Sequence, residues 1–137
     1  MIESGYLVDT DVIINYLKGK KNSKEFFMKI IEGKAFGFFS VITEAELLSG
    51  ARNAKEEANI YDLLDIMDAI ELERRMAVTA GKLRRKYDAY GIGLPDALIA
   101  ATTKEMDLIV ATGNEKHFKV FDEIEKEYVK EDLSYAQ

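Results

Sequence analysis

YLVDTDVIINYL, residues Tyr6 to Leu17, is an apolar run that halts at Asp9-Thr10-Asp11 and then resumes with apolar residues at helical spacing. Tyr6 to Val8 reads as a buried parallel strand, and the chain beyond it as a helix reaching about Leu17 with Thr10 as its N-cap. A strand feeding directly into a helix is the first half of a βα unit. Ligands of open α/β sheets bind beyond the carboxyl ends of the strands, which makes Asp9 a site candidate. Asp11, in the first turn of the helix, is accounted for by the helix dipole alone.

The same alternation continues downstream. After the polar break Lys18-Gly19-Lys20-Lys21-Asn22, a helix capped by Ser23 is expected through Glu32, with Phe26, Phe27, Ile30 and Ile31 as its apolar stripe. Ala35 to Phe39 reads as a second buried strand, and Ser40 or Thr43 as the cap of the helix behind it. Asn53 to Met67 is patterned as an amphipathic helix, with Ala58, Tyr61, Leu64 and Ile66 as a stripe suited to a partner surface. Asp68 to Leu72 is a short strand or connector, and Glu73 to Tyr90 a long helix buried through Met76, Ala80, Leu83 and Tyr87. Gly91-Ile92-Gly93 turns the chain into a helix that opens on Pro95 and is apolar from Ala97 to Met106. Asp107 to Ala111 is a further buried strand, and Tyr128-Val129 a final edge strand. Strands alternating with helices imply a three-layer α/β/α architecture, with a central parallel sheet flanked by helices, in one domain over residues 1–137.

Composition narrows the chemistry. The chain has 137 residues, no cysteine and one histidine, so thiolate metal sites and disulfides are excluded and a metal would be held by oxygen or by His117. A net charge of −6 argues against non-specific nucleic-acid binding. It leaves room for a nuclease, because a carboxylate-lined site adds negative charge that bound cations offset. Glu3 and the lack of a basic start argue against a signal peptide, and no apolar run is long enough to span a bilayer, so a cytoplasmic protein without membrane contact is expected.

Further candidates accumulate where Asp9 is expected to point. In SVITEAELLSG, Ser40 to Gly50, Leu47, Leu48 and Ala51 form the apolar side, leaving Glu46 near Ser49, Gly50 and Asn53, while Glu44 is the better surface or capping residue. Asp96 opens a buried helix, a costly place for a carboxylate without a partner. Thr112 ends the late strand. Three convergent carboxylates require cations, and oxygen-only ligation suits Mg²⁺ or Mn²⁺, ions that activate water against phosphodiesters. Lys82, Arg84, Arg85 and Lys86 form either a solvated helix face or a phosphate-binding surface.

LVDTDVII, SVITEAELLSG, GLPDALIAATT and LIVATGNEKHF, in that order and spacing, resemble the PIN-domain family and, within it, the VapC-type toxin ribonucleases of toxin–antitoxin pairs. The resemblance implies a PIN fold, Mg²⁺-dependent RNA cleavage, homodimerisation and inhibition by a cognate antitoxin protein. It assigns Asp9, Glu46 and Asp96 as catalytic metal ligands and places Asn114 in the polar motif after the late strand; Thr10, Asp11 and Thr112, beside these acids in the chain or at the neighbouring strand end, are candidates to support them together with Asn114. His117 stands where many members carry a fourth acid. It is either a substrate contact or a half-buried histidine beside Phe118, and Asp11 or Glu115 are candidates to compensate for the missing acid.

Two alternatives compete. Asp9-Thr10-Asp11-Val12 also satisfies the DxDxV nucleophile motif of haloacid-dehalogenase-like phosphatases, in which Asp9 would be a covalent nucleophile, but that reading leaves Glu46 and Asp96 unexplained. A catalytically silent module using the PIN fold to hold RNA or protein is the other.

Overall fold

The computed structural model describes residues 4–132. Five strands, β1 (Ser4–Val8), β2 (Ala35–Ser40), β3 (Asp68–Ile70), β4 (Ile109–Thr112) and β5 (Glu125–Tyr128), form one parallel sheet in the order β3-β2-β1-β4-β5. The chain winds outward from β1 to β3, then returns to place β4 on the other side of β1. That reversal leaves a crevice beyond the carboxyl ends of β1 and β4, where such sheets bind ligands. Register ties the two ends of the chain together, with Leu7 opposite Val110 and Val8 opposite Ala111.

Alternation along β1 explains the two cores. Tyr6 and Val8 face a layer made by α1 (Thr10–Leu17), α2 (Lys21–Ile31), α3 (Val41–Ser49) and α4 (Ala54–Leu64), through Val12, Ile13, Phe26, Phe27, Leu47, Ile60 and Leu63. Leu7 faces the opposite layer of α5 (Arg74–Lys86), α6 (Leu94–Glu105) and α7 (Glu115–Phe118), through Met76, Ala80, Leu83, Ala97, Ala100 and Phe118. The result is the three-layer α/β/α arrangement with both sheet faces covered, as parallel strands require.

Several local expectations are corrected. Asp9, in extended backbone, is the N-cap of α1, and its Oδ1 accepts the Thr10 N–H at 2.9 Å; Thr10 is the first helical residue. Ser40, not Thr43, caps α3 by accepting the Ile42 N–H, and Thr43 is buried inside that helix. Ser23 is buried within the first turn of α2, whose orphan N–H groups are capped from 108 residues away: Glu131 accepts from the Ser23 N–H at 2.8 Å and the Ser23 hydroxyl at 2.9 Å, and from the Asn22 N–H at 3.0 Å. A local pattern cannot reveal so distant a cap. The expected helix to Met67 ends at Leu64; Ile60, Leu63 and Leu64 are buried in the domain's own core, while Ala58 and Tyr61, and Ile66 beyond the helix, are exposed, leaving all but Leu64 of the expected stripe at the surface. The expected long helix after Glu73 ends at Lys86 and is followed by a separate 3₁₀ turn at Asp88–Tyr90. Asp107 precedes β4 in left-handed backbone at φ 54°, so the strand begins two residues later than the apolar pattern suggests.

Candidate active site

Asp9 owes its place to β1. It is 8% exposed, its N–H bonds the Ala111 carbonyl at 2.9 Å, and its Oδ2 accepts the Thr112 hydroxyl at 2.8 Å across the crevice between β1 and β4. The Thr112 hydroxyl in turn accepts the Asn114 N–H at 3.0 Å. Both Asp9 oxygens are therefore held, one by its own helix and one by the neighbouring strand.

Asp11 sits one step further along α1. The Gly113 N–H donates to its Oδ2 at 3.0 Å, whereas Oδ1 is buried without a hydrogen-bond partner. Position 113 must be glycine for this contact: a Cβ there would lie 2.6 Å from Asp11 Oδ2 and 3.0 Å from the Val129 carbonyl. An orphaned buried carboxylate oxygen costs roughly 1–3 kcal/mol or more unless a water or cation meets it.

The remaining two acids arrive on helices. Glu46, on the exposed side of α3, accepts the Thr10 hydroxyl at 2.7 Å, and the same Thr10 oxygen lies 3.1 Å from the Thr43 hydroxyl. Asp96, in the first turn of α6, meets His117 Nδ1 at 2.7 Å. Asn114 Nδ2 lies 2.9 Å from the same ring nitrogen. Nδ1 cannot both donate to Asp96 and accept from Asn114. The shorter contact, to a carboxylate, places the proton on Nδ1 and calls for the Asn114 amide to turn its oxygen toward the ring.

Asp9, Thr10, Asp11, Glu46, Asp96 and Asn114 line one cleft of about 220 Å³, floored by Ile14, Pro95 and Ile99. The expected carboxylates thus share a single opening, with Asp11 as a fourth acid whose part the helix-dipole account understates. Burial first, and then the charge of Asp11, push the Asp9 carboxyl up to about 7, against the pull of the hydrogen bonds from Thr112 and Thr10. Asp11 is raised too, chiefly by burial, while the Gly113 N–H acts to lower it. A group of acids that resist ionising together is a site that gains from a cation.

The donor set fits a hard divalent ion: every candidate ligand is a carboxylate, and Asp11, which lines the same cleft, carries a buried Oδ1 without a hydrogen-bond partner. As they stand, no three acidic or histidine side chains among the described residues are close-set enough to enclose an ion; Glu46 is bonded to Thr10 and Asp96 to His117.

The basic stretch on α5 is elsewhere. None of Lys82, Arg84, Arg85 and Lys86 lines the cleft; all four are exposed around the C-terminal end of α5, and Lys86 is paired with Glu123 at 2.8 Å. Cations there complement the helix dipole, which accounts for them without a ligand. Glu115 is likewise outside the cleft, paired with Lys130, and does not replace an acid at position 117.

Residues 6–124 match the model of the PIN domain. The chain belongs to the PIN-domain family. It is 34% identical over 120 residues to the ribonuclease VapC10 of Mycobacterium tuberculosis, covering 86% of this chain and 89% of that protein. It is 27% identical over 119 residues to the ribonuclease VapC1 of Methanocaldococcus jannaschii, covering 85% and 81%. Among solved structures, VapBC2 from Rickettsia felis bound to a DNA fragment from its promoter superposes with a TM-score of 0.77 at 22% identity, covering 90% of this chain and 98% of that one. A toxin–antitoxin complex from Klebsiella pneumoniae gives 0.72 at 25% identity, covering 89% and 95%. With a PIN domain in hand, the DxDxV reading of Asp9 to Val12 falls away, and the cleft also has no lysine in its walls for that chemistry.

Proposed function

We propose that this PIN domain is a metal-dependent endoribonuclease of the VapC type, cleaving RNA at the cleft between β1 and β4 and held in check by a cognate antitoxin protein. The observation that carries the reading is the convergence of Asp9, Asp11, Glu46 and Asp96 on one opening, with Asp9 pushed up to about 7 by burial and by its neighbour's charge. Relatives named as VapC ribonucleases support the activity, and neighbours solved as toxin–antitoxin complexes support the partner.

Asp9, Glu46 and Asp96 are the residues that would hold Mg²⁺ or Mn²⁺. A divalent ion bound there supplies Lewis acidity, acidifying water and offsetting charge on the phosphate oxygens. The protein's own contribution is placement. Thr112 and the Thr10 N–H hold the Asp9 carboxylate in one orientation, so no reorganisation is needed when substrate arrives. Thr10 steadies Glu46, and His117 steadies Asp96 while carrying a proton on Nδ1. Ile14, Pro95 and Ile99 supply the apolar part of the cleft lining.

The test is cleavage of single-stranded and structured RNAs by purified, antitoxin-free protein. Activity with Mg²⁺ or Mn²⁺, lost with a chelator and absent in Asp9→Asn, is the expected result. Activity that persists in chelator, or in Asp9→Asn, refutes the metal-dependent assignment. A homodimer is part of the same reading, checked by the mass of the particle in solution. The silent-module alternative predicts RNA binding without cleavage under every metal condition. No helix among the described residues is long and apolar enough to cross a membrane.

A further inference from the structure

Two cavities border the acidic cleft. On one side Ile14 and Glu46 lead into a groove of about 460 Å³ with apolar walls at Leu17, Leu47 and Ile60. On the other, Asp11 is the partition between the cleft and a larger cavity of about 580 Å³, set between the α1–α2 turn and the chain segment from Val129 to Asp132. These two concave surfaces adjoin the cleft and are the candidates to carry a strand beyond a phosphate at Asp9.

We propose that the larger cavity carries the phosphodiester backbone of single-stranded RNA away from the cleft, with Lys20 and Lys21 as its phosphate contacts. The inference rests on the ribonuclease reading and extends it to the path of the substrate.

The cavity is built rather than incidental. Asn22 Nδ2 donates to the Lys130 carbonyl at 2.7 Å, and Glu131 caps α2 with three hydrogen bonds, so its walls are locked together from opposite ends of the chain. The Glu131 carboxylate is engaged by the first turn of α2, and Asp11 Oδ2 by the Gly113 N–H. Lys130 is paired with Glu115 at 2.9 Å. Lys20 and Lys21 are exposed and make no close ion pair among the described residues, although the charge of Lys20 helps to hold Glu131 ionised and Asp132 adds a further carboxylate to the cavity wall.

Charge along the chain points the same way. Residues 18–24, KGKKNSK, place four lysines in seven positions with no acid between them, on a protein whose net charge is −6; of these Lys20 and Lys21 line the larger cavity, while Lys18 lines the groove on the other side. A local basic run on an acidic molecule directs a polyanion to one place instead of coating the whole surface. Lysine suits this role because its ammonium meets phosphate as a point charge and reads no base. The groove on the other side offers less: Arg52 is committed to Glu56 at 2.7 Å, leaving Lys18 as its one cation without an ion pair among the described residues.

The experiment measures binding of a fluorescein-labelled, mixed-sequence single-stranded RNA by anisotropy in chelator, where nothing is cleaved, over a series of salt concentrations. For the wild type, log K falls with log salt, by about 0.7 for each phosphate contact on a single strand. The Lys20→Ala/Lys21→Ala double variant is expected to bind about tenfold more weakly at low salt and to lose about 1.4 from that slope. Lys82→Ala/Arg84→Ala/Arg85→Ala is expected to keep the wild-type slope. An unchanged slope in the Lys20/Lys21 variant, with the wild type binding normally, overturns the path and leaves the ribonuclease reading standing. A slope lost only in the α5 variant moves the path to that helix. A wild type that binds RNA neither in chelator nor with Ca²⁺, an oxygen-seeking divalent ion that offsets the carboxylate charge, removes the ribonuclease reading and this inference with it.

Discussion

Asp9 and Asp11 face the cleft from the β1–α1 junction, where main-chain N–H groups grip both of them, whereas Glu46 and Asp96 enter from α3 and α6 on one side-chain contact each. The first pair is set by the sheet and is costly to leave charged; the second is more exposed and can adjust. The difference separates two tasks that a phosphodiester-cleaving cleft combines. A fixed carboxylate defines where an ion sits, and adjustable ones let the site close on ion and substrate together.

The sharpest way to break this contrast is Asp9→Asn, which should lower RNA cleavage by about three orders of magnitude or more, as removal of a central electrostatic group does. The same variant should raise stability in chelator. With its folded pKa near 7 and an unfolded value near 3.8, Asp9 holds more proton in the folded state between those limits. Wild-type stability therefore falls as pH rises through that window, and the Asp9→Asn advantage should grow from nothing below about pH 4 to about 2 kcal/mol above pH 7, less than the full shift would convert to because Asn keeps imperfect hydrogen bonds. Urea unfolding at a series of pH values reads this directly. A wild type that is the more stable of the two at pH 8 would show that burying the Asp9 charge carries no cost.

Asp11→Asn comes next. It removes the charge beside Asp9, so the Asp9 carboxyl should titrate lower, while cation-induced thermal stabilisation by Mn²⁺ should fall if the orphaned Oδ1 helps to hold the ion. Activity should drop by about 10- to 100-fold, the range for groups that support metal ligands. Full activity with full Mn²⁺ stabilisation would put Asp11 back among ordinary helix-start residues.

On the adjustable wall the effects should be smaller and partly rescuable. His117→Ala frees Asp96 and should cost about tenfold in activity, with His117→Gln recovering part of it through a neutral donor at the same position. Thr10→Val, which leaves the helix intact but removes the hydroxyl from Glu46, should cost less still and should raise KM for metal more than it lowers kcat. If His117→Ala proved as damaging as Asp9→Asn, the histidine would be a reacting group rather than a brace.

Glu46 is legible in the sequence because it lies on the side of α3 that carries small and polar neighbours, and Asp9 and Asp96 because each interrupts an apolar pattern at the start of a helix, where a carboxylate has a position fixed by local geometry. Thr112 is legible for the same reason at a strand end. Asp11 is undervalued there because the helix dipole explains it completely; only its place in the cleft wall, with one oxygen left unpartnered, shows that it has a further part. The basic stretch from Lys82 to Lys86 stands out by density alone, yet density does not say which way a helix end lies. Lys20 and Lys21 pass for a polar break because the cavity they line is completed by residues near the other end of the chain. The helix stripe of Ala58, Tyr61, Leu64 and Ile66 hides the core face of α4 at Ile60, Leu63 and Leu64, because a one-position step of 100° moves a residue from the exposed side to the buried one.

The hydrogen bond from Thr112 to Asp9 joins residues 103 positions apart, and β1 lies between β2 and β4. Pairings of that span carry a large loop-closure cost and slow the approach to the native state. A chain emerging from synthesis carries Asp9, Glu46 and Asp96 well before β4 exists to dock beside β1. The three acids then have no common opening, so the cleft comes into being only once nearly the whole domain has been made, and the order of synthesis itself delays the appearance of the site.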